Sequence, residues 1–187
     1  MELCSSIQNE AIGNYITMRG GWPIPVAGGL WWLSLAAAGT ELSTYNWSLT
    51  AFVTSGVIFP LALLIGKVTG AKVMGGGALT SVLLPAFISM LLFYPSAIMA
   101  FYSATELVPL ILAVGMSAHW PIIGWSYGRT GLFSAHAVVR AAVVTALWVA
   151  YPDDRLVFIP LAVAAIYFIT VLFIRIDVAL LRGKLRV

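Results

Sequence analysis

Apolar residues run along nearly the whole chain in blocks of about 17 to 23, broken by short polar clusters, and this block length is its dominant pattern. A helical stretch of that length crosses a hydrocarbon layer about 30 Å thick. The blocks predict spans near 24–40, 48–66, 79–101, 107–126, 132–150 and 156–175. The connections between them are short, so successive helices are expected to be antiparallel neighbours. Ahead of the first block, residues 2–19 place Leu3, Ile7, Ala11 and Met18 on one helical face. That segment reads either as an amphipathic helix lying on a membrane surface or against the bundle, or as a frayed polar terminus. Gly20, Gly21 and Pro23 then break the chain. The expected fold is an all-α membrane protein, a bundle of about six transmembrane helices with an N-terminal amphipathic helix. Residues 1–22 form the amphipathic segment and residues 23–187 the helical transmembrane domain.

Within the blocks, Pro60, Pro85, Pro95, Pro109, Pro121 and Pro160 each remove a helical hydrogen bond or mark a helix start, which predicts kinks in the second, third and fourth spans. Gly66 with Gly70, Gly124 with Gly128, and the alanines at 36–38, 141, 142 and 146 have the small-residue spacing of closely packed membrane helices. Ser89, Ser96 and Ser103 recur every seven residues on one face. They form either a polar track down the bundle or hydroxyls bonded to their own helix.

Composition removes the soluble alternatives. The chain is 61% hydrophobic and 9% charged, with a mean hydropathy of +0.98, far from the balance of a soluble domain. A net charge of +3 would suggest nucleic acid in a soluble protein, but the basic residues are spread over the connections. No nucleic-acid partner is expected, and the charges report orientation instead. One side holds Arg19, Lys67, Lys72, Arg129, Arg175, Arg182, Lys184 and Arg186; the other holds Glu41, Glu106, Asp153, Asp154 and Arg155. The positive-inside rule then puts both termini in the cytoplasm, and five or seven spans would scramble the sorting. Residues 1–20 lack the features of a cleavable signal. The lone Cys4 allows neither an internal disulfide nor a zinc motif. In the YPDDR connection at 151–155, a solvated loop with a local ion pair is expected.

The chemistry concentrates in GMSAHWPIIGWSYGRTGLFSAHAVVR, residues 115–140. Arg140 lies roughly eight residues from one end of its span and ten from the other, near mid-depth. A guanidinium there costs about 2.5–3.5 kcal/mol on insertion scales and must face the bundle interior or water. His136 sits one turn earlier on the same face, and Val143, Leu147 and Tyr151 continue it. His119, on the preceding span, falls at a comparable depth. None of the acidic residues lies in an apolar block, so the partners left for Arg140 are few. They are backbone carbonyls, a hydroxyl of Tyr94, Tyr102, Tyr127, Tyr151 or Tyr167, the serines of the third span, or an anion from outside the chain.

Three functions fit these residues. In a small transporter or channel, Arg140 attracts an anionic solute or lipid headgroup while His119 or His136 carries a proton. In a scaffold, sensor or subunit, the same residues tie helices together. In a redox carrier, the two histidines would be axial ligands of a haem, without any haem motif to support it. No nucleophile elbow, phosphate loop or dinucleotide fingerprint is present, so no enzyme, catalytic residue, metal or cofactor is expected. Arg140, His136 and His119 are the candidate substrate-binding residues. The expected partners are the lipid bilayer, an anionic small molecule or headgroup, and further copies of the chain shielding the polar core.

GMSAHWPIIGWSYGR, the H-x3-R of His136 and Arg140, WVAYPDDRLVFIPLAVAAIY and the second-span ending FPLALLIGK together resemble a bacterial family of integral membrane proteins known as a domain of unknown function, family 7010. The resemblance covers most of the chain. It implies a small multi-pass protein of the bacterial cytoplasmic membrane and no assigned chemistry.

Overall fold

The computed structural model describes residues 2–73 and 80–185. The side chains of Leu3 and Cys4, and residues 74–78 of the predicted 67–78 connection, lie outside what it describes. Among the described residues every regular element is helical. The helices are α1 (Glu2–Thr17), α2 (Pro23–Ala38), α3 (Thr44–Thr54), α4 (Ile58–Thr69), α5 (Leu83–Leu91), α6 (Tyr94–Ser103), α7 (Val108–Gly115), α8 (Trp120–Ser126), α9 (Thr130–Ala150) and α10 (Arg155–Leu185).

Three predicted spans are pairs of short helices. A 3-10 turn at Ser55–Val57 separates α3 from α4 just ahead of Pro60, and the α5–α6 break at Leu92–Phe93 precedes Pro95. The turn at Met116–His119 precedes Pro121. Proline lacks the N–H that would close the preceding turn and its ring crowds the carbonyl four residues back, so each break sits two to five residues upstream. Taken as continuous runs, 44–69, 83–103, 105–126, 130–150 and 155–184 are five helical segments long and apolar enough to cross a membrane. The predicted first span is the sixteen-residue α2, which rises only about 24 Å and falls short of those five in length.

The axis of the bundle is the pairing of α2 with α10. Glycine permits it: a Cβ at Gly28 would lie 3.0 Å from the Tyr167 ring, one at Gly29 3.0 Å from Phe168, and one at Gly39 would collide with the Leu156 backbone. The Gly66 and Gly124 spacings work otherwise than predicted. Gly66 accommodates Ala71 and Val73 of its own trailing segment, and Gly70 and Gly128 are left-handed turn residues with φ of 63°. Only Gly124 serves a helix contact, lying against Phe133 of α9. α3 is tied to α2 through Trp47 Nε1, which donates to the Leu35 carbonyl at 2.8 Å, and through Trp31 Nε1, which donates to Thr54 Oγ1 at 2.9 Å.

Half of the apolar window in 105–126 is buried, against 17% in 44–69 and in 83–103, so α7–α8 is central while α3–α6 form an outer wall. On that wall Ala86, Ala97, Ala100 and Phe101 face inward. Ser89, Ser96 and Ser103 face outward, and Ser103 Oγ donates to Met99 of its own helix. Of the two readings of these serines the polar track is absent, because the small and aromatic residues of α5 and α6 occupy the packed side, and Ser103 follows the own-helix alternative.

Charged residues make contacts at both ends of the bundle. Arg129 meets Asp177 at 2.7 Å and Arg175 stacks over Trp22, while α10 continues well past its predicted end at residue 175. At the opposite end, Arg155 donates to the Trp148 carbonyl at 2.8 Å and stacks on the Trp148 ring, whose Nε1 donates to the Glu106 carbonyl. The local ion pair expected in YPDDR does not form, because the indole face and a carbonyl take the Arg155 guanidinium.

α1 buries Ala11 and Tyr15, and Met18 just beyond it is buried too, while Ile7 of the predicted face is exposed. Arg182 Nη2 donates to the Ile16 carbonyl at 2.9 Å, holding α1 against the end of α10. The turn into α2 is left-handed at Arg19, Gly20 and Gly21 (φ of 52°, 71° and 63°). A side chain on Gly20 would strike Ile174.

Candidate functional site

α9 turns Phe133, His136, Arg140 and Val144 into the core, the i, i+3, i+7 and i+11 positions of one stripe. Val144, not the predicted Val143, continues that face, because the 3.6-residue repeat drifts. Arg140 is 0% exposed. Its Nη1 donates to the Tyr167 hydroxyl at 3.0 Å. The guanidinium carbon lies 5.2 Å from the Trp32 ring centroid and 5.1 Å from that of Tyr167. Two aromatic faces and one hydroxyl thus hold the cation, each contact worth about 0.5–2 kcal/mol when desolvated. Arg129 with Asp177 is the one salt bridge among the described residues, so no carboxylate balances Arg140.

The free atoms of Arg140 matter most. Nε and Nη2 are buried and have no acceptor among the described residues. These two nitrogens form one edge of the guanidinium, the fork that takes a carboxylate or phosphate through two parallel hydrogen bonds. The indole Nε1 of Trp32 and of Trp120 are buried donors in the same condition.

His136 stacks on Trp120 at a centroid distance of 3.7 Å and an interplanar angle of 14°, and its Nδ1 lies 2.8 Å from Thr170 Oγ1. Thr170 spends its only proton on the Ile166 carbonyl at 2.7 Å. Its oxygen must therefore accept from His136, which places the proton on Nδ1 and leaves Nε2 a buried lone pair without a partner. His119 sits in the turn between α7 and α8, 93% buried, with its ring 5.1 Å from Phe87 and 6.3 Å from Trp120. Its Nδ1 is also unpartnered. Trp120 thus lies against both histidines, while Tyr167 joins His136 to Arg140.

Beside this cluster is a cavity of about 420 Å³ bounded by α2, α4, α5 and α8. His119, Trp120 and Tyr167 line it; Arg140 and His136 do not. Of the three predicted site residues, one therefore faces the cavity and two lie behind its wall. Trp32, Trp120 and Thr170 were not singled out from the sequence as site residues. Tyr167 and Thr170 left a signal there, as hydroxyls three residues apart in an apolar run. At the basic end, outside the spans, burial first and the Asp177 carboxylate second push the Tyr15 phenol above its ordinary range. Burial alone pushes Tyr127 up to about 12.

The model of a family of unknown function, DUF7010, matches residues 7–177. None of the curated proteins and none of the solved structures compared with the chain matches it.

Proposed function

The chain belongs to the DUF7010 family of unknown function, and from that premise we propose that it is a small multi-pass membrane protein that binds and passes an anionic or proton-coupled solute. The observation that carries this reading is the Nε and Nη2 edge of Arg140, fully buried and without an acceptor. A guanidinium that served only to tie helices together would have that edge matched by carbonyls or hydroxyls, because each unmet buried donor costs about 1–3 kcal/mol. An anion supplies both missing acceptors and the missing charge. His136 Nε2 and His119 Nδ1, each without a partner, supply positions for a proton travelling with it. The binding residues are thus Arg140, His136 and His119, and no covalent step is assigned.

With α2 as a further crossing, the chain spans the bilayer about six times, and the proposed amphipathic face of α1 is the side carrying Ala11 and Tyr15, turned toward the basic end of the bundle. By the positive-inside rule that end and both termini are cytoplasmic, in a bacterial inner membrane. Residues 1–22 form the surface segment and residues 23–187 the transmembrane domain, and further copies of the chain are its proposed protein partners.

A second reading rests on the Tyr167 bond and the two aromatic faces around Arg140, which suit a scaffold whose polar core fixes helix positions. Proteoliposome flux separates the two, using chloride, nitrate and formate with Arg140→Gln beside the parent chain. Transport predicts saturable flux of one of these anions that falls at least about tenfold in the variant. Equal flux in both proteins removes Arg140 from any transport role and leaves the scaffold.

A further inference from the structure

We infer that the cavity of about 420 Å³ is a binding site for a neutral, lipid-like molecule with one hydrogen-bonding head, which enters sideways from the bilayer. This rests on the membrane reading above; it shares His119 with the anion site but not Arg140 or His136, which do not line the cavity. The deep wall is formed by buried residues of the central helices, including His119, Trp120 and Tyr127. The exposed lining residues lie elsewhere: Phe59 is 45% exposed, Leu91 is 50% exposed, and Gly56 is exposed beside them. These three mark the mouth.

The mouth lies near the middle of the runs 44–69 and 83–103, not at their ends. An opening at that depth between two outer helices faces hydrocarbon, so its occupant arrives from the lipid phase. Both runs break beside it, at Ser55–Val57 and at Leu92–Phe93. Across the rim, Tyr94 Oη donates to Ser55 Oγ at 2.8 Å, and Ser55 passes its own proton to the Phe52 carbonyl at 2.9 Å. That bond ties the two outer elements together at the entrance.

The chemistry of the wall selects the occupant. The volume is within the range of small-molecule sites, and the lining is mostly apolar with a few convergent polar groups. No formally charged side chain is among the lining residues, so a charged head would lose its hydration without a counter-charge. An alcohol or ester head matches His119 Nδ1, which is unpartnered on a side chain 93% buried. The chain of the ligand then extends toward Phe59 and Leu91.

The test uses the full chain in detergent micelles and follows quenching of tryptophan fluorescence by a bromine-labelled fatty alcohol, with the matching fatty acid anion as the second probe. A Cβ added at Gly56 meets nothing within 4 Å, so Gly56→Leu adds apolar bulk at the rim without a clash at its Cβ. We expect saturable quenching by the alcohol, weakened at least about tenfold in Gly56→Leu and largely lost in Trp120→Phe. His119→Phe, which keeps a ring of similar size, should weaken the alcohol severalfold while circular dichroism stays unchanged. Quenching by the alcohol that does not saturate, or is equal in the parent and Gly56→Leu, overturns the site. Tighter binding of the carboxylate than of the alcohol overturns the neutral-head assignment.

Discussion

Replacing Arg140 with methionine tests whether its free edge awaits an anion or is an incidental feature of a structural tie. The substitution removes the Nη1 bond to Tyr167, about 1.5–3 kcal/mol for a charged donor. It also removes two aromatic contacts of about 0.5–2 kcal/mol each. Against this, it relieves two unmatched buried donors, about 1–3 kcal/mol each and more where the group is charged. The two sides nearly cancel, so without added anion Arg140→Met should lie within about 2 kcal/mol of the parent. Addition of the cognate anion at a hundred times its dissociation constant stabilises the parent by about 2.7 kcal/mol and the variant not at all. The assay is thermal and denaturant unfolding in micelles, with chloride, nitrate, formate and acetate exchanged at constant ionic strength. A variant destabilised by about 3–5 kcal/mol in every buffer, as when one partner of a satisfied buried pair is removed, together with a parent indifferent to all four anions, would refute the reasoning.

Gly28→Ala places a Cβ 3.0 Å from the Tyr167 ring; overpacking costs about 1–3 kcal/mol and should blunt the anion response by shifting Tyr167. Gly13→Ala, where the Cβ meets nothing within 4 Å, should instead gain about 0.5–1 kcal/mol in a thermal melt. Because Tyr127 is raised to about 12 and Tyr15 also lies above its ordinary range, their contribution to stability is complete below pH 10, the unfolded phenol value. It falls as pH rises through the folded value, at up to about 1.4 kcal/mol per pH unit for each phenol. Unfolding midpoints between pH 9 and 12 should show this loss, and Tyr127→Phe should flatten it. Asp177→Asn opens a partly exposed ion pair, worth under about 1 kcal/mol. Phenolate absorbance should then show Tyr15 titrating lower than in the parent yet still above its ordinary range, since burial is the larger cause of its shift.

The sequence makes some of these features readable and hides others, for physical reasons. Block length decides that the chain is helical, and proline decides where three runs break, because both act within a few residues. Arg140 could be placed inside the bundle from its position alone, since a guanidinium at mid-span has no tolerable outward orientation. Tyr167 could be named only as one of five candidate hydroxyls, because choosing among them requires knowing which helix lies beside α9. Gly28 and Gly29 admit the close approach of α2 to α10, but a missing side chain does not name the ring it admits. The pairing of Arg129 with Asp177 joins residues 48 positions apart, beyond the reach of any local pattern. The outward serines show the limit of periodicity, which groups residues on one face without saying which way that face points. The continuation of α10 past residue 175 was missed because apolar block length marks where a helix would leave hydrocarbon, not where its backbone stops being helical.

A density map of the purified protein at a resolution that separates ordered ions from side chains, collected with bromide or formate present, examines the guanidinium edge directly. We predict non-protein density within hydrogen-bonding distance of both Nε and Nη2 of Arg140, weakened when the anion is exchanged for a bulky one. An edge filled by backbone carbonyls or an acidic side chain of the same chain, with no added density, would contradict the anion site.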